Sequence, residues 1–199
     1  MPLVLNHENA LRPTPDNTGL YRLLNDIREY AHPQVAIAPS ITVPGQLALV
    51  AKSKVPANSV IFIFTNEISR LRTRTSIQIG AEEHLEAGAF GSYTNHSCQP
   101  NAVVRAFIHP CGNIGTAALI CITEVAKGEE LTFDYATTET DLTAELKQAR
   151  CLCGSALCRG KVKHFWQLPA SERERITTAN LAAGHVFAIH CASVHVDCH

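Results

Sequence analysis

The sequence predicts a mostly-β domain with short helices, closed at its C-terminal end by a metal-binding segment and a helical tail. Three observations predict it. From Val35 onward, short apolar runs, many of them β-branched, alternate with turns at close intervals. After Tyr135 the pattern becomes helical. Three cysteines then fall within eight residues, from Cys151 to Cys158. These shifts divide the chain into an N-terminal extension (1–34), a β domain (35–145), a cysteine segment (146–162) and a helical tail (163–199).

In the extension, Asp16, Asn17 and Thr18 stand before Leu20, Leu23, Leu24 and Ile27, which reads as a capped helix stopped by Pro33. Val35, Ile37 and Ile41 fall on one side of an extended run interrupted by Pro39 and Pro44. Leu47 to Ala51 and Val60 to Phe64 read as strands joined by the turn Val55-Pro56-Ala57-Asn58-Ser59. Thr75 to Ile79 alternates as a half-buried strand does. Ala102 to Ile108 and Thr116 to Ile122, around Pro110-Cys111-Gly112-Asn113, form a predicted hairpin. Thr140 to Ala149 predicts a short helix. Pro169 to Ala183 predicts another, with Pro near its start and Gly184 past its end.

A chain of 199 residues, 46% hydrophobic, can bury its own core. With 17 basic and 18 acidic residues its net charge is -1, which argues against direct nucleic-acid binding or a membrane-surface field. Met1 to Glu8 shows no basic leader pattern, and the apolar run Ala117–Ile122 is too short for a membrane span. An intracellular protein of cytoplasm or nucleus is expected, where disulfides are rare. Eight cysteines then point to metal.

Cys151-Leu152-Cys153-Gly154-Ser155-Ala156-Leu157-Cys158 is a C-x-C-x4-C run. Three thiolates leave a tetrahedral zinc one ligand short. Cys98 is the expected fourth, because it sits in the other dense motif. Four sulfur ligands leave no open position, so such a zinc is structural.

Two segments stand out beside this run: Gly91-Ser92-Tyr93-Thr94-Asn95-His96-Ser97-Cys98-Gln99-Pro100-Asn101 and Gly128-Glu129-Glu130-Leu131-Thr132-Phe133-Asp134-Tyr135. Together with Cys151–Gly160, they resemble the ordered motifs of SET-domain methyltransferases with a post-SET zinc site. The resemblance covers about residues 35–160. It implies a fold of small sheets in which the two segments form a pseudoknot. It also implies S-adenosylmethionine contacted by Asn95 and His96, a catalytic Tyr135 and Cys98 as the fourth zinc ligand. Tyr93 and Phe133 join the catalytic set. Ala48 and Leu49 of the first motif, Tyr135, and Trp166 after the cysteines join the cofactor set. Trp166 reads equally as a core anchor.

The chemistry of amine methylation agrees with these residue types. Only a neutral amine attacks a sulfonium methyl, and free lysine has a pKa of about 10.4. The site must therefore desolvate the ammonium and aim the amine. A tyrosine hydroxyl aims without competing as a nucleophile. On a strand, Leu131, Phe133 and Tyr135 share a face. Phe at position 133, by resemblance, implies addition of more than one methyl group.

The chain departs from the family at the first motif, usually a G-x-G turn. Here it reads Pro44-Gly45-Gln46-Leu47-Ala48-Leu49, and one or both glycines are missing in either alignment. Ser92 stands where the family often has Arg, so Glu130 would lose a partner. Residues 65–74 are short for the insert that shapes the peptide groove. In the tail, His185, His190, Cys191, His195, Cys198 and His199 match no zinc spacing, and Val186, Phe187 and Ile189 indicate packing instead.

A methyltransferase acting on a protein or peptide lysine is the leading reading. The altered first motif and the short groove insert motivate an alternative: a SET scaffold acting on a small molecule, either methylating a metabolite or catalysing a cyclisation or isomerisation without methyl transfer. A third reading, a non-catalytic binding module, conflicts with the retained Tyr135.

Overall fold

In the computed structural model, residues 29–194 are described. The predicted helix over 16–27 lies outside them. Ten strands and four α-helices follow in chain order: β1 (Glu29–Ala31), β2 (Val35–Pro39), β3 (Leu47–Ala51), β4 (Val60–Glu67), β5 (Ser76–Gln78), β6 (His84–Glu86), α1 (Ala89–Ser92), β7 (Asn95–His96), β8 (Ala102–Ile108), β9 (Ile114–Cys121), β10 (Thr132–Phe133), α2 (Ala144–Gln148), α3 (Ala170–Thr178) and α4 (Gly184–Val194). The mostly-β expectation with few short helices holds.

An antiparallel sheet in the order β1-β4-β9-β8 is the centre of the molecule. Its middle strands bury both faces, which is why Val60–Phe64 and Ala117–Cys121 are unbroken apolar runs and do not alternate. Phe62, Phe64, Ala117 and Leu119 face the larger core, which also takes in Leu49, Leu131 and Phe133. Val60, Ile63, Ala118 and Ile120 face the other side, where Tyr30 and Leu181 cover them. Three two-stranded ladders surround the sheet: β2-β3, β5-β6 and the parallel pair β7-β10.

Three local readings differ from what forms. Glu29–Ala31, within the expected extension, is an edge strand of the main sheet, paired with Phe62–Phe64. The helix expected over 169–183 ends at Thr178, because Asn180 takes a left-handed conformation (φ 55°). Leu181 N–H then donates to Ile176 O and Asn180 N–H to Thr177 O, the Schellman pattern with Asn in place of Gly. Gly184, read as the end of that helix, begins α4. Tyr135 lies just past β10, in a 3-10 turn over Tyr135–Thr137 that the Asp134 side chain caps through Ala136 N–H.

The tail is packed onto the sheet. Phe165, fully buried, joins Ala136, Leu168, Ile176, Ala182 and Val186 in a separate apolar cluster. Arg105 on β8 is buried and donates to the carbonyls of Val104, Asn180 and Ala182. Carbonyls at a helix end suit a cation, so Arg105 fastens the end of α3 to the sheet. His185 donates from Nε2 to Thr138 O at 2.7 Å.

Candidate active site

Residues 128–133 join the first motif to the second. On one side Ala51 N–H donates to Glu129 O, Gly128 N–H to Ala51 O and Leu131 N–H to Leu49 O. On the other, Thr132 and Phe133 pair with Asn95 and His96. Asn101 supports the junction: its Nδ2 donates to Glu130 O at 2.8 Å and its Oδ1 accepts from Thr132 N–H at 2.9 Å. Three separated stretches thus meet at one place, with Tyr135 at its end.

Glu130 has found other partners. Its buried carboxylate accepts from Ser40 Oγ (2.8 Å), Ile41 N–H (2.6 Å), Thr42 N–H (3.1 Å) and Thr42 Oγ1 (3.0 Å). Burial alone would raise its pKa; these four donors outweigh burial and hold it below the usual carboxylate range. They pin the loop 40–46, whose turn places Gly45 at φ 77°, a conformation glycine tolerates. The first motif therefore keeps its turn glycine. Ala48 and Leu49 are fully buried in β3, and Leu49 N–H is taken by Tyr93 O at 2.9 Å. The wall next to open space is built instead by Val43, Gln46 and Leu47.

That space is a cleft of about 590 Å³. Tyr93, Asn95, His96 and Tyr135 line it, and Arg150 to Cys153 form its far wall. A second, narrow cavity of about 40 Å³ is lined by Thr94, Phe133, Glu139 and Leu142 among others. The two share Arg74, Thr75, Ser92, Tyr135 and Leu146. Tyr135 stands at their junction. Its ring lies 4.9 Å from that of Phe133 and 5.2 Å from that of His96. Although Tyr135 has left the strand, the expected adjacency to Phe133 is present. The Tyr135 hydroxyl donates to Thr94 O at 3.2 Å, and burial pushes its pKa up to about 12. The phenol stays neutral, with oxygen lone pairs left to accept.

His96 is placed differently from the expectation of a direct cofactor contact. Its Nδ1 accepts from Tyr135 N–H (3.2 Å), and Nε2 lies 3.4 Å from Cys98 Sγ. Accepting at Nδ1 fixes the tautomer with hydrogen on Nε2. Burial, with nearby Arg159, pushes its pKa down to about 3, so the ring is neutral and its 3.6 Å approach to Asp134 is no ion pair. Both ring nitrogens serve the protein itself.

The sulfur atoms of Cys98, Cys151, Cys153 and Cys158 lie within 4.8 Å of one another. Cys98 and Cys151 sulfurs are 3.8 Å apart. A tetrahedron with Zn–S of about 2.3 Å has an edge of about 3.8 Å, so the donor set fits zinc. Arg159, which the sequence did not single out, donates from its backbone N–H (3.4 Å) and Nε (3.2 Å) to Cys98 Sγ. Its Nη2 meets Asp134 Oδ1 at 2.6 Å. Arg159 thus links the cysteine cluster to the residue before Tyr135. Among the described residues, these four cysteines are the group arranged for a metal; His185 and His190 join none.

Trp166 does not reach the cleft. It is 37% exposed, packs edge-on against Phe165 and carries the Arg173 guanidinium 5.5 Å from its ring centroid. Neither is it the core anchor; its neighbour Phe165 is.

A SET-domain family profile matches residues 46–136. The chain carries a SET domain. It is 39% identical over 77 residues, 34% of this chain and 23% of the relative, to the histone-lysine N-methyltransferase, H3 lysine-9 specific dim-5 of Neurospora crassa. It is 28% identical over 153 residues, 68% of this chain and 17% of the relative, to an H3 lysine-36 specific histone-lysine N-methyltransferase of Cryptococcus neoformans. The chain therefore spans about a fifth of the length of these relatives. In solved structures, KRYPTONITE in complex with mCHH DNA, an H3(1-15) peptide and SAH superposes with a TM-score of 0.53 at 21% identity, covering 70% of this chain and 31% of that one. That likeness concerns the fold. No helix among the described residues of this SET-domain chain is long and apolar enough to cross a membrane.

Proposed function

We propose that this SET-domain chain is an S-adenosylmethionine-dependent protein-lysine N-methyltransferase. The observation that carries it is the pair of cavities meeting at Tyr135. Only the larger, at about 590 Å³, falls in the size range of cofactor sites, about 300–1,000 Å³. The narrow one suits a slender, unbranched side chain. S-adenosylmethionine bound in the cleft supplies a methyl group on a sulfonium. Tyr93, Asn95 and the Gln46–Leu47 edge are its proposed contacts. Zinc at the four cysteines, with no open position, holds the far wall of the cleft in place.

The chain's own residues then do three things. Phe133 and Leu142 desolvate the lysine amine, which lowers its pKa from about 10.4 and frees the lone pair. The neutral Tyr135 hydroxyl, already donating to Thr94 O, accepts an amine N–H and aims that lone pair toward the cleft. His96 fixes Tyr135 through its backbone N–H. Phe133 adds no second hydroxyl to hold a methylated amine in one orientation, so the amine can turn and react again.

The relatives named above are protein-lysine methyltransferases, which favours this reading over the small-molecule one. Replacing Tyr135 with Phe tests it. Turnover on protein lysine should fall by at least about 100-fold, while cofactor affinity by calorimetry changes less than about twofold. An undiminished rate would remove Tyr135 from the mechanism.

A further inference from the structure

We propose that Arg74 selects the substrate, favouring a lysine flanked by an acidic residue. This deepens, and rests on, the methyltransferase reading above. Three arginines alternate along Arg70-Leu71-Arg72-Thr73-Arg74, the short segment leading into β5. The first two are occupied. Arg70 meets Glu82 at 3.4 Å, and Arg72 meets Glu139 at 3.6 Å and Asp141 at 3.8 Å. Arg74 is exposed, and among the described residues it has no hydrogen bond and no ion pair. It lines both cavities and so stands where they meet.

The charges lining the narrow cavity are Arg72, Arg74 and Glu139. Arg72 is offset by Asp141 together with Glu139, which leaves Arg74 as the cavity-lining charge without an ion pair beside the path a lysine takes to Tyr135. A peptide carrying Arg or Lys next to its target lysine meets like charge there; one carrying Asp or Glu meets a free guanidinium. A guanidinium also offers a planar pair of donors to a carboxylate. The cofactor brings a carboxylate too, but the large cleft has a second arginine without an ion pair, Arg150, which does not line the narrow cavity. We therefore assign the peptide's carboxylate to Arg74.

The test uses zinc-loaded full chain, wild type and Arg74→Glu. Three peptides of equal length carry one lysine flanked on both sides by Asp, Ser or Arg. Their binding is read by fluorescence anisotropy and their methylation by kcat/KM, at low ionic strength. Wild type should prefer the Asp-flanked over the Arg-flanked peptide by about fivefold, as exposed charge pairs allow, and added salt should shrink the preference. Arg74→Glu should invert it and leave S-adenosylmethionine affinity within about twofold. Equal use of all three peptides by wild type overturns the assignment while leaving the methyltransferase reading intact. Loss of cofactor binding in Arg74→Glu with unchanged peptide preference gives the residue to the cofactor and also overturns it. Charge-selective binding without any methyl transfer upholds the peptide surface and removes the methyltransferase reading instead.

Discussion

The two walls of the site are built in different ways. The wall holding Asn95 and Tyr135 rests on the sheet core: Tyr135 packs against the cluster that contains the fully buried Leu49, Leu119 and Leu131, and the backbone bonds of three motifs converge there. The opposite wall, Arg150 to Cys153, is a short segment closed on itself by Cys151 N–H to Gly160 O and Val162 N–H to Ala149 O. It meets the body through a small cluster, Cys98, Leu142, Cys151 and Val162, and through Arg159. The first wall is held by apolar burial spread over many residues. The second depends on four sulfur atoms and one arginine. This division predicts that the site should lose half its lining without losing its fold.

The largest effect should come from breaking the thiol-built wall. Stripping zinc with a chelator should abolish both cofactor binding and turnover, while the β signal in far-ultraviolet circular dichroism persists. Full loss of that signal would show that the sheet depends on the metal as well. The reverse experiment weakens the sheet: Leu119→Ala should cost about 2–5 kcal/mol in urea unfolding, with one zinc per chain retained in the folded protein. Loss of zinc in that variant would mean the walls are coupled.

A third experiment probes where body and tail meet. Burial pushes His84, on β6, and His185, on α4, down to about 4. A depressed histidine pKa means the folded state binds fewer protons than the unfolded chain between about pH 4 and 6.5. Stability is therefore full above about pH 6.5 and declines as pH falls through that window, by up to about 3 kcal/mol for His84. His84→Gln should flatten the melting temperature between pH 7 and 5 relative to wild type; an unchanged slope would assign the acid sensitivity elsewhere. The smallest effect is expected at Trp166. Trp166→Ala should change cofactor affinity less than about twofold and cost about 1 kcal/mol through its Phe165 and Arg173 contacts. A large drop in cofactor affinity would return Trp166 to the site.

Much of this was legible from the chain alone where side-chain chemistry and order were enough. The C-x-C-x4-C run with Cys98, the adjacency of Phe133 and Tyr135, and the hairpin over 102–121 needed only local pattern and motif order. What failed was local in a different sense. Asn180 ended a helix that glycine was expected to end, because Asn also enters the left-handed region. Tyr135 left its strand because the Asp134 side chain captured Ala136 N–H. Ala48, Leu49 and Trp166, expected in the cofactor set, lie outside the lining of the large cleft.

By itself, then, the sequence determined the domain class, the four cysteines and the tyrosine that stands where the two cavities meet. These depend on which residues are present and in what order. Tertiary structure alone decided that Glu130 clamps the loop 40–46, that His96 spends both nitrogens on Tyr135 and Cys98, that Arg159 ties sulfur to Asp134, and that Arg74 lines both cavities without an ion pair among the described residues. Each of those pairings joins residues from 2 to 90 positions apart. A hydrogen bond or ion pair is fixed by distance in space, and a single sequence carries no record of which polar groups remain unpaired once the chain has closed.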